Sequence, residues 1–135
     1  MVRLLQHGLY MSNMKGENMN FEYELFETDG VLGIKIYSNP LILGDYELLE
    51  TCLDTDIRDD MEILTWIDDV LASKVDKNHC GGTVTIAEFD KNKTEIVIGI
   101  TDTPEKCTLP TWLFREIVEV WLKEVKKHFE ANHEG

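Results

Sequence analysis

Apolar and polar residues alternate strictly along FEYELFETDGVLGIKIY. Phe21, Tyr23 and Leu25 interleave with Glu22 and Glu24, and after Asp29-Gly30 the alternation resumes with Leu32, Ile34 and Ile36. A period of two puts one set of side chains on one face of a strand, and Asp-Gly supplies the left-handed residues of a type I′ turn. The stretch predicts a β-hairpin in which Thr28 pairs with Val31, Leu25 with Ile34, Tyr23 with Ile36 and Glu24 with Lys35. That register makes both faces chemically consistent.

The next segment, SNPLILGDYELLETCL, is interrupted by Pro40 and Gly44 and fits a short strand or a packed loop equally well. A helical period then takes over, from the capping candidates Asp54-Thr55-Asp56 to about Ser73. At 100° per residue, Ile57, Met61, Ile63, Leu64, Ile67, Val70 and Leu71 form an apolar arc, while Arg58, Glu62, Thr65 and Asp69 line the opposite face. Trp66 falls at the margin beside Glu62 and Asp69, Arg58 can pair with Glu62, and Asp68 lies within the apolar arc.

A second hairpin follows. Val84 and Ile86 alternate before the turn Asp90-Lys91-Asn92, and Ile96, Ile98 and Ile100 alternate after it, so a three-residue loop with Asn92 left-handed pairs Ile86 with Ile96. A last helix starts near TLPTWLF, with Thr108 as cap and Pro110 in the first turn, and runs to about Phe129. Phe114, Ile117, Val118, Trp121, Val125 and Phe129 are its core stripe. Glu116 and Glu119 come early and Lys123, Lys126 and Lys127 late, as the helix dipole favours.

The order is thus β-β-α-β-β-α, an α+β domain with an antiparallel or mixed sheet of four to five strands and two helices packed on one face. Residues 21–130 form the single domain. Residues 1–20, with four of the five methionines (Met1, Met11, Met14, Met19), read as a flexible or non-native extension, and residues 131–135 as a frayed tail.

Composition narrows the functional classes. Hydrophobic content of 43% and charged content of 29% suit a soluble globular chain. No apolar run is long enough to span a bilayer, and the N-terminus makes a poor secretory signal, so the Asn92-Lys93-Thr94 glycosylation pattern carries little weight. Cys52, Cys80 and Cys107 are widely spaced and odd in number, which favours free thiols and a cytoplasmic address. A net charge of −13 argues against nucleic acid and against anionic membranes, and selects a basic partner if it selects any.

Candidate chemistry is sparse. His79-Cys80-Gly81-Gly82 contains the ingredients of a cysteine nucleophile with backbone donors, yet sequence neighbours here point in different directions. His79, Cys80, Cys107 and Cys52 are zinc-type ligands without an anchoring pair at close spacing. The alternate acids Asp54 and Asp56 begin like a calcium loop, but Arg58 and Asp59 stand where an acid or Asn and then Gly are required. No phosphate loop is present, and no cofactor or metal is expected.

What remains is an acidic surface. Ten acids from Asp45 to Asp69 (Asp45, Glu47, Glu50, Asp54, Asp56, Asp59, Asp60, Glu62, Asp68, Asp69) face Arg58 alone. Those at the helix start have a dipole rationale; Asp68 and Asp69 do not. Asp54, Asp56, Asp59, Asp60, Glu62 and Asp69 would supply steering and charge pairs to a protein partner, with Trp66 as aromatic anchor. A small, strongly acidic α/β domain without a catalytic signature resembles the immunity proteins of bacterial toxin systems, including those of contact-dependent growth inhibition. The resemblance lies in size, charge and element order. It implies a non-enzymatic protein that binds a cognate toxin domain, often a basic nuclease, and covers its active or substrate-binding surface. Two alternatives stay open: a small enzyme using Cys80 and His79, and a structural or regulatory subunit that self-associates weakly through an exposed hairpin edge.

Overall fold

The computed structural model describes residues 2–12, 19–37, 39–99 and 105–133. These form an α+β structure of two antiparallel sheets with helices between them. The first sheet has the order β1-β2-β3, from β1 (Val2–Ser12), β2 (Met19–Thr28) and β3 (Val31–Ile36). The second has the order β4-β8-β7-β6-β5, from β4 (Leu43–Gly44), β5 (Lys77–Gly81), β6 (Thr85–Asp90), β7 (Lys93–Ile98) and β8 (Lys106–Pro110).

The first hairpin has the expected register: Thr28 opposite Val31, Leu25 opposite Ile34 and Tyr23 opposite Ile36. Asp29 (φ 51°) and Gly30 (φ 83°) make the left-handed turn. The segment expected as an extension ahead of the fold contains β1, which pairs with β2 from Val2–Thr28 to Ser12–Met19; residues 13–18 lie outside the described residues. The hairpin therefore becomes a three-stranded sheet of its own.

The second hairpin differs from expectation by one residue. Ala87, not Ile86, lies opposite Ile96, and the loop is the two residues Lys91 and Asn92, with no left-handed residue. Asp90 fixes this turn by accepting the N–H groups of Asn92 and Lys93, both at 2.8 Å. The shift turns Thr85, Ala87 and Phe89 into the core and leaves Val84 and Ile86 half-buried. The buried threonines are satisfied: Thr111 Oγ1 lies 2.9 Å from Thr94 Oγ1 and donates to the Asp90 carbonyl at 2.7 Å.

The helices depart most from expectation. The ambiguous stretch yields β4 and then α1 (Tyr46–Thr51), capped by Asp45, whose side chain accepts from the Glu47 N–H at 3.0 Å. Gly44 (φ 97°) permits this junction, since a β-carbon there would sit 2.0 Å from the Lys106 carbonyl oxygen. α1 widens into a π-helical turn over Cys52–Ile57, closed by Arg58 N–H to Leu53 carbonyl at 2.8 Å. Arg58 then breaks the helix with φ 54° and ψ −107°, and α2 (Glu62–Leu71) starts afresh. One expected helix is two, and the i,i+4 spacing that would bring Arg58 to Glu62 is lost at the break.

The last helix, α3 (Thr111–His133), starts after β8 and runs past the expected end at Phe129. The expected cap Thr108 lies within β8. α1 touches β3 on one side and β7 and β8 on the other; α2 packs on β5, β6 and α3. The helical layer thus lies between two sheets rather than on one face of one sheet, which is why α3 buries Leu113, Phe114, Ile117, Val118, Val120, Trp121 and Leu122 around most of its girth. The side-chain ties of α3 to other elements include His128 to Glu27 of β2 at 2.8 Å and Arg115 to Asp68 of α2 at 2.9 Å. Asp68, odd within the apolar arc, is explained by this pair.

The break at Arg58 is held from α3, where the buried Trp121 indole N–H donates to the Arg58 carbonyl at 2.8 Å. A non-glycine residue in this backbone region carries strain of order 1–3 kcal/mol. Arg58→Gly should leave stability unchanged or raise it by up to about 1 kcal/mol in urea unfolding, whereas Gly inside a continuous helix would cost about 1 kcal/mol. A loss of that size would refute the strained break.

Candidate interaction site

The acidic stretch is built from three local structures: the capped start of α1, the π-helical turn, and the loop from Arg58 to Met61. The structure separates the seven residues expected at the site. Asp56 is committed internally. Its Oδ1 accepts the N–H groups of Thr83 (2.7 Å) and Val84 (3.1 Å), and its Oδ2 accepts the Thr85 N–H (2.8 Å) and hydroxyl (2.7 Å). Asp54 is half-buried and accepts from the Thr55 hydroxyl at 2.9 Å. Asp69 lies 3.9 Å from the Lys74 ammonium.

Asp59, Asp60 and Glu62 remain exposed. Asp60 Oδ1 accepts the Glu62 N–H at 3.0 Å, so the loop tip is shaped by its own carboxylate. Trp66 is half-buried against the core and, with Ile63, lines a cleft of about 400 Å³ between α2 and β5. Asp56, Asp60, Asn78, His79, Cys80 and Gly81 complete that cleft, so the acidic face and the His79-Cys80 pair meet there.

The His79-Cys80 pair itself is divided. Neighbouring strand residues project to opposite faces, and Cys80 is buried while His79 is exposed. The neighbour that Cys80 does have is Cys52. The Cys80 thiol and burial together push the Cys52 thiol well up, and burial pushes Cys107 up to about 12. All three cysteines are free thiols, and the described residues contain no cluster of three metal-type ligands.

The concentration of acids without a salt bridge distinguishes the stretch. The carboxylates of Asp45, Glu47, Glu50, Asp54, Asp56, Asp59, Asp60 and Glu62 make no salt bridge with any described residue, nor does Arg58 among them. Some acids elsewhere do pair: Glu27 with Arg3, Glu95 with Lys93 and Lys106, Glu119 with Arg115 and Lys123, and Glu124 with Lys127; Asp76, Glu88, Glu105 and Glu130 make no salt bridge with a described residue either, but they are scattered along the chain. Burial pushes the Glu50 carboxyl up, against the Ile36 N–H that it accepts at 2.8 Å, and burial likewise pushes Asp54 up. For Asp56 burial also opposes the charge, but the Thr85 hydroxyl and the three N–H donors outweigh it, and the carboxyl is held below the usual range.

Asp45, Glu47 and Glu50 belong to the same unpaired set but were not among the expected binding residues, because the helix was expected to begin only after them. No protein-family model, curated protein or solved structure matches the chain. No helix among the described residues is long and apolar enough to cross a membrane.

A depressed folded-state value stabilises the fold above the unfolded-state value and loses that effect as pH falls through the folded one; raised values do the reverse. Glu50 and Asp54 therefore add stability as they protonate on acidification, and Asp56 removes it at lower pH. Asp56→Asn should cost about 2 kcal/mol at pH 7, by leaving N–H donors of residues 83–85 poorly satisfied, and should flatten the acid-side loss. Denaturant unfolding from pH 7 down to about 2, well below ordinary carboxylate values of about 4, checks this; an unchanged pH profile would exclude the clamp as its source.

Proposed function

We propose that this chain is a non-catalytic binding protein that docks a basic protein partner on the face centred on Asp59, Asp60 and Glu62. The absence of any salt bridge to the eight carboxylates between Asp45 and Glu62, among the described residues, supports this reading best. Exposed acids held on a rigid, internally bonded loop give a preorganised negative field that steers a cationic surface and lowers the ordering cost of docking. In its narrower form the reading is that of an immunity protein covering the active or substrate surface of a basic, nuclease-like toxin, in line with the resemblance in size, charge and element order. Asp45, Glu47, Glu50 and Asp54 extend the field, and Trp66 offers an aromatic edge beside Asp60. Asp56 contributes charge while its oxygens serve the fold.

The test is affinity capture from the native cell, followed by association kinetics of the captured partner with wild type and with a triple Asp59→Lys, Asp60→Lys, Glu62→Lys variant. The partner is expected to be basic, and the variant to associate at least about tenfold more slowly at low ionic strength, with a flatter salt dependence. Unchanged on-rate and affinity would remove the acidic face from the function.

A second reading is favoured by β1, which forms an edge of the first sheet and exposes Val2 and Leu4. Such an edge can pair with a copy of itself. Sedimentation equilibrium decides: a monomer at high concentration discards self-association, and a dimer lost in a Leu4→Lys variant supports it.

A further inference from the structure

The core stripe expected on α3 does not stay in the core. Trp121 is buried, but Val125 is half-exposed and Phe129 is 58% exposed. Across from them Met61, expected inside the apolar arc of a continuous helix, is 57% exposed because the break at Arg58 carries it to the surface. Leu122, Val125 and Phe129 together with Met61 enclose a groove of about 290 Å³, walled by Asp59 and Lys126. A second depression of about 260 Å³ shares Asp59, Val125 and Phe129 with it and extends to Val31, which is 66% exposed. Among the described residues, three exposed large apolar side chains, Val31, Met61 and Phe129, thus gather on one surface, where most such residues occur singly.

We infer that this groove seats an amphipathic helix of the protein partner, apolar along one face and carrying Lys or Arg on the flank that meets the Asp59–Glu62 loop. The inference rests on the binding reading above and names its anchor. Val125 and Phe129 continue, at three- and four-residue spacing, the helix face that Leu122 begins as the buried floor, a relief onto which a second helix can pack. The charge pattern sets the orientation. Asp59, Asp60 and Glu62 flank Met61 in sequence, are exposed, and make no salt bridge with a described residue, while Lys126 stands on the opposite wall. Basic side chains are matched on the loop side, and a single acid can meet Lys126. A second copy of this chain is the wrong occupant of this groove, because a contact here would set one Asp59–Glu62 loop beside another.

The probes are three short synthetic peptides: one with Leu and Phe at helical spacing flanked by Lys, a scramble of the same composition, and the same apolar pattern flanked by Glu. Titrated against the full chain by fluorescence anisotropy, the first should bind at least about tenfold tighter than either control. Met61→Asp, at an exposed position that leaves the thermal melt in place, should remove most of that preference, and Val125→Asp should do the same. Peptide-induced shifts in the amide spectrum should map to residues 59–62 and 122–129. Equal binding of patterned and scrambled basic peptides, lost in the triple charge-reversal variant, would leave the acidic face standing and overturn the groove. The groove is equally overturned by a Met61→Asp variant that binds like wild type, by preference for the Glu-flanked peptide, by no peptide binding, or by a dimer that Met61→Asp dissociates. The binding reading itself fails separately, on an unchanged on-rate of the captured partner.

Discussion

The carboxylate of Asp56 holds the two halves of the molecule in register. Three consecutive backbone N–H groups, of Thr83, Val84 and Thr85, converge on it at 2.7–3.1 Å, and such a nest of donors needs an anion. The π-helical turn, which packs against β5 and β6 as well as β3, delivers that anion. With Asp56 pinned and Ile57 buried behind it, the chain cannot continue as a helix in the same direction. Arg58 takes the turn in a strained conformation, and the Trp121 indole N–H of α3 donates to its carbonyl. The start of α2, and with it the position of Asp59, Asp60, Met61 and Glu62, follows from those contacts. The exposed loop from Asp59 to Glu62 is therefore placed by a partly buried clamp beside it.

The fold uses some of its acids and leaves others idle. Asp68 joins α2 to α3, Glu27 meets the end of α3, and Glu119 and Glu124 brace α3 along its length. The acids from Asp45 to Glu62 have no salt bridge with a described residue; Asp45, Glu50, Asp54, Asp56 and Asp60 hydrogen-bond within the fold, and the charges of the stretch still repel one another. Two like charges about 8 Å apart in water oppose each other by about 0.5 kcal/mol, small singly and appreciable when many neighbours share a surface. Under the binding reading proposed above, a cationic partner would remove that repulsion, so acids such as Asp59 and Glu62 would weaken the free chain slightly and strengthen the complex.

How much of this was legible in the sequence depended on whether the determinants were local. The first hairpin was readable because Asp29-Gly30 permits one turn and the alternation on either side permits one register. The second was misread by one residue because its turn is set by a side chain, Asp90, which supplies to Asn92 and Lys93 what a left-handed residue would otherwise have to provide. The broken helix was not readable at all. Its apolar period continues smoothly through Arg58, and only the partners that capture Asp56 and the Arg58 carbonyl, tens of residues away in sequence, make a break favourable. Asp68 carried a legible signal, a carboxylate at a core angle, but its partner Arg115 lay in another helix. β1 was obscured by a leader whose methionines and glycine mask its alternation.

The same break decides which apolar residue can serve as an anchor. Sequence reasoning singled out Trp66, because an aromatic ring at the margin of an acidic face has the composition of a hot spot. In the structure Trp66 already rests against the core and β5, so the area it can still bury is limited. Met61 has no such support, and it stands between acids with the open stripe of α3 opposite. Asp60 lines the Trp66 cleft and Asp59 lines the groove, so the loop that bears them is a ridge between two concavities. Charge can draw a partner to either side of that ridge. The hydrophobic gain, about 25 cal/mol per Å² of apolar area removed from water, is larger where more apolar surface is still exposed, and that is the side of Met61 and Phe129.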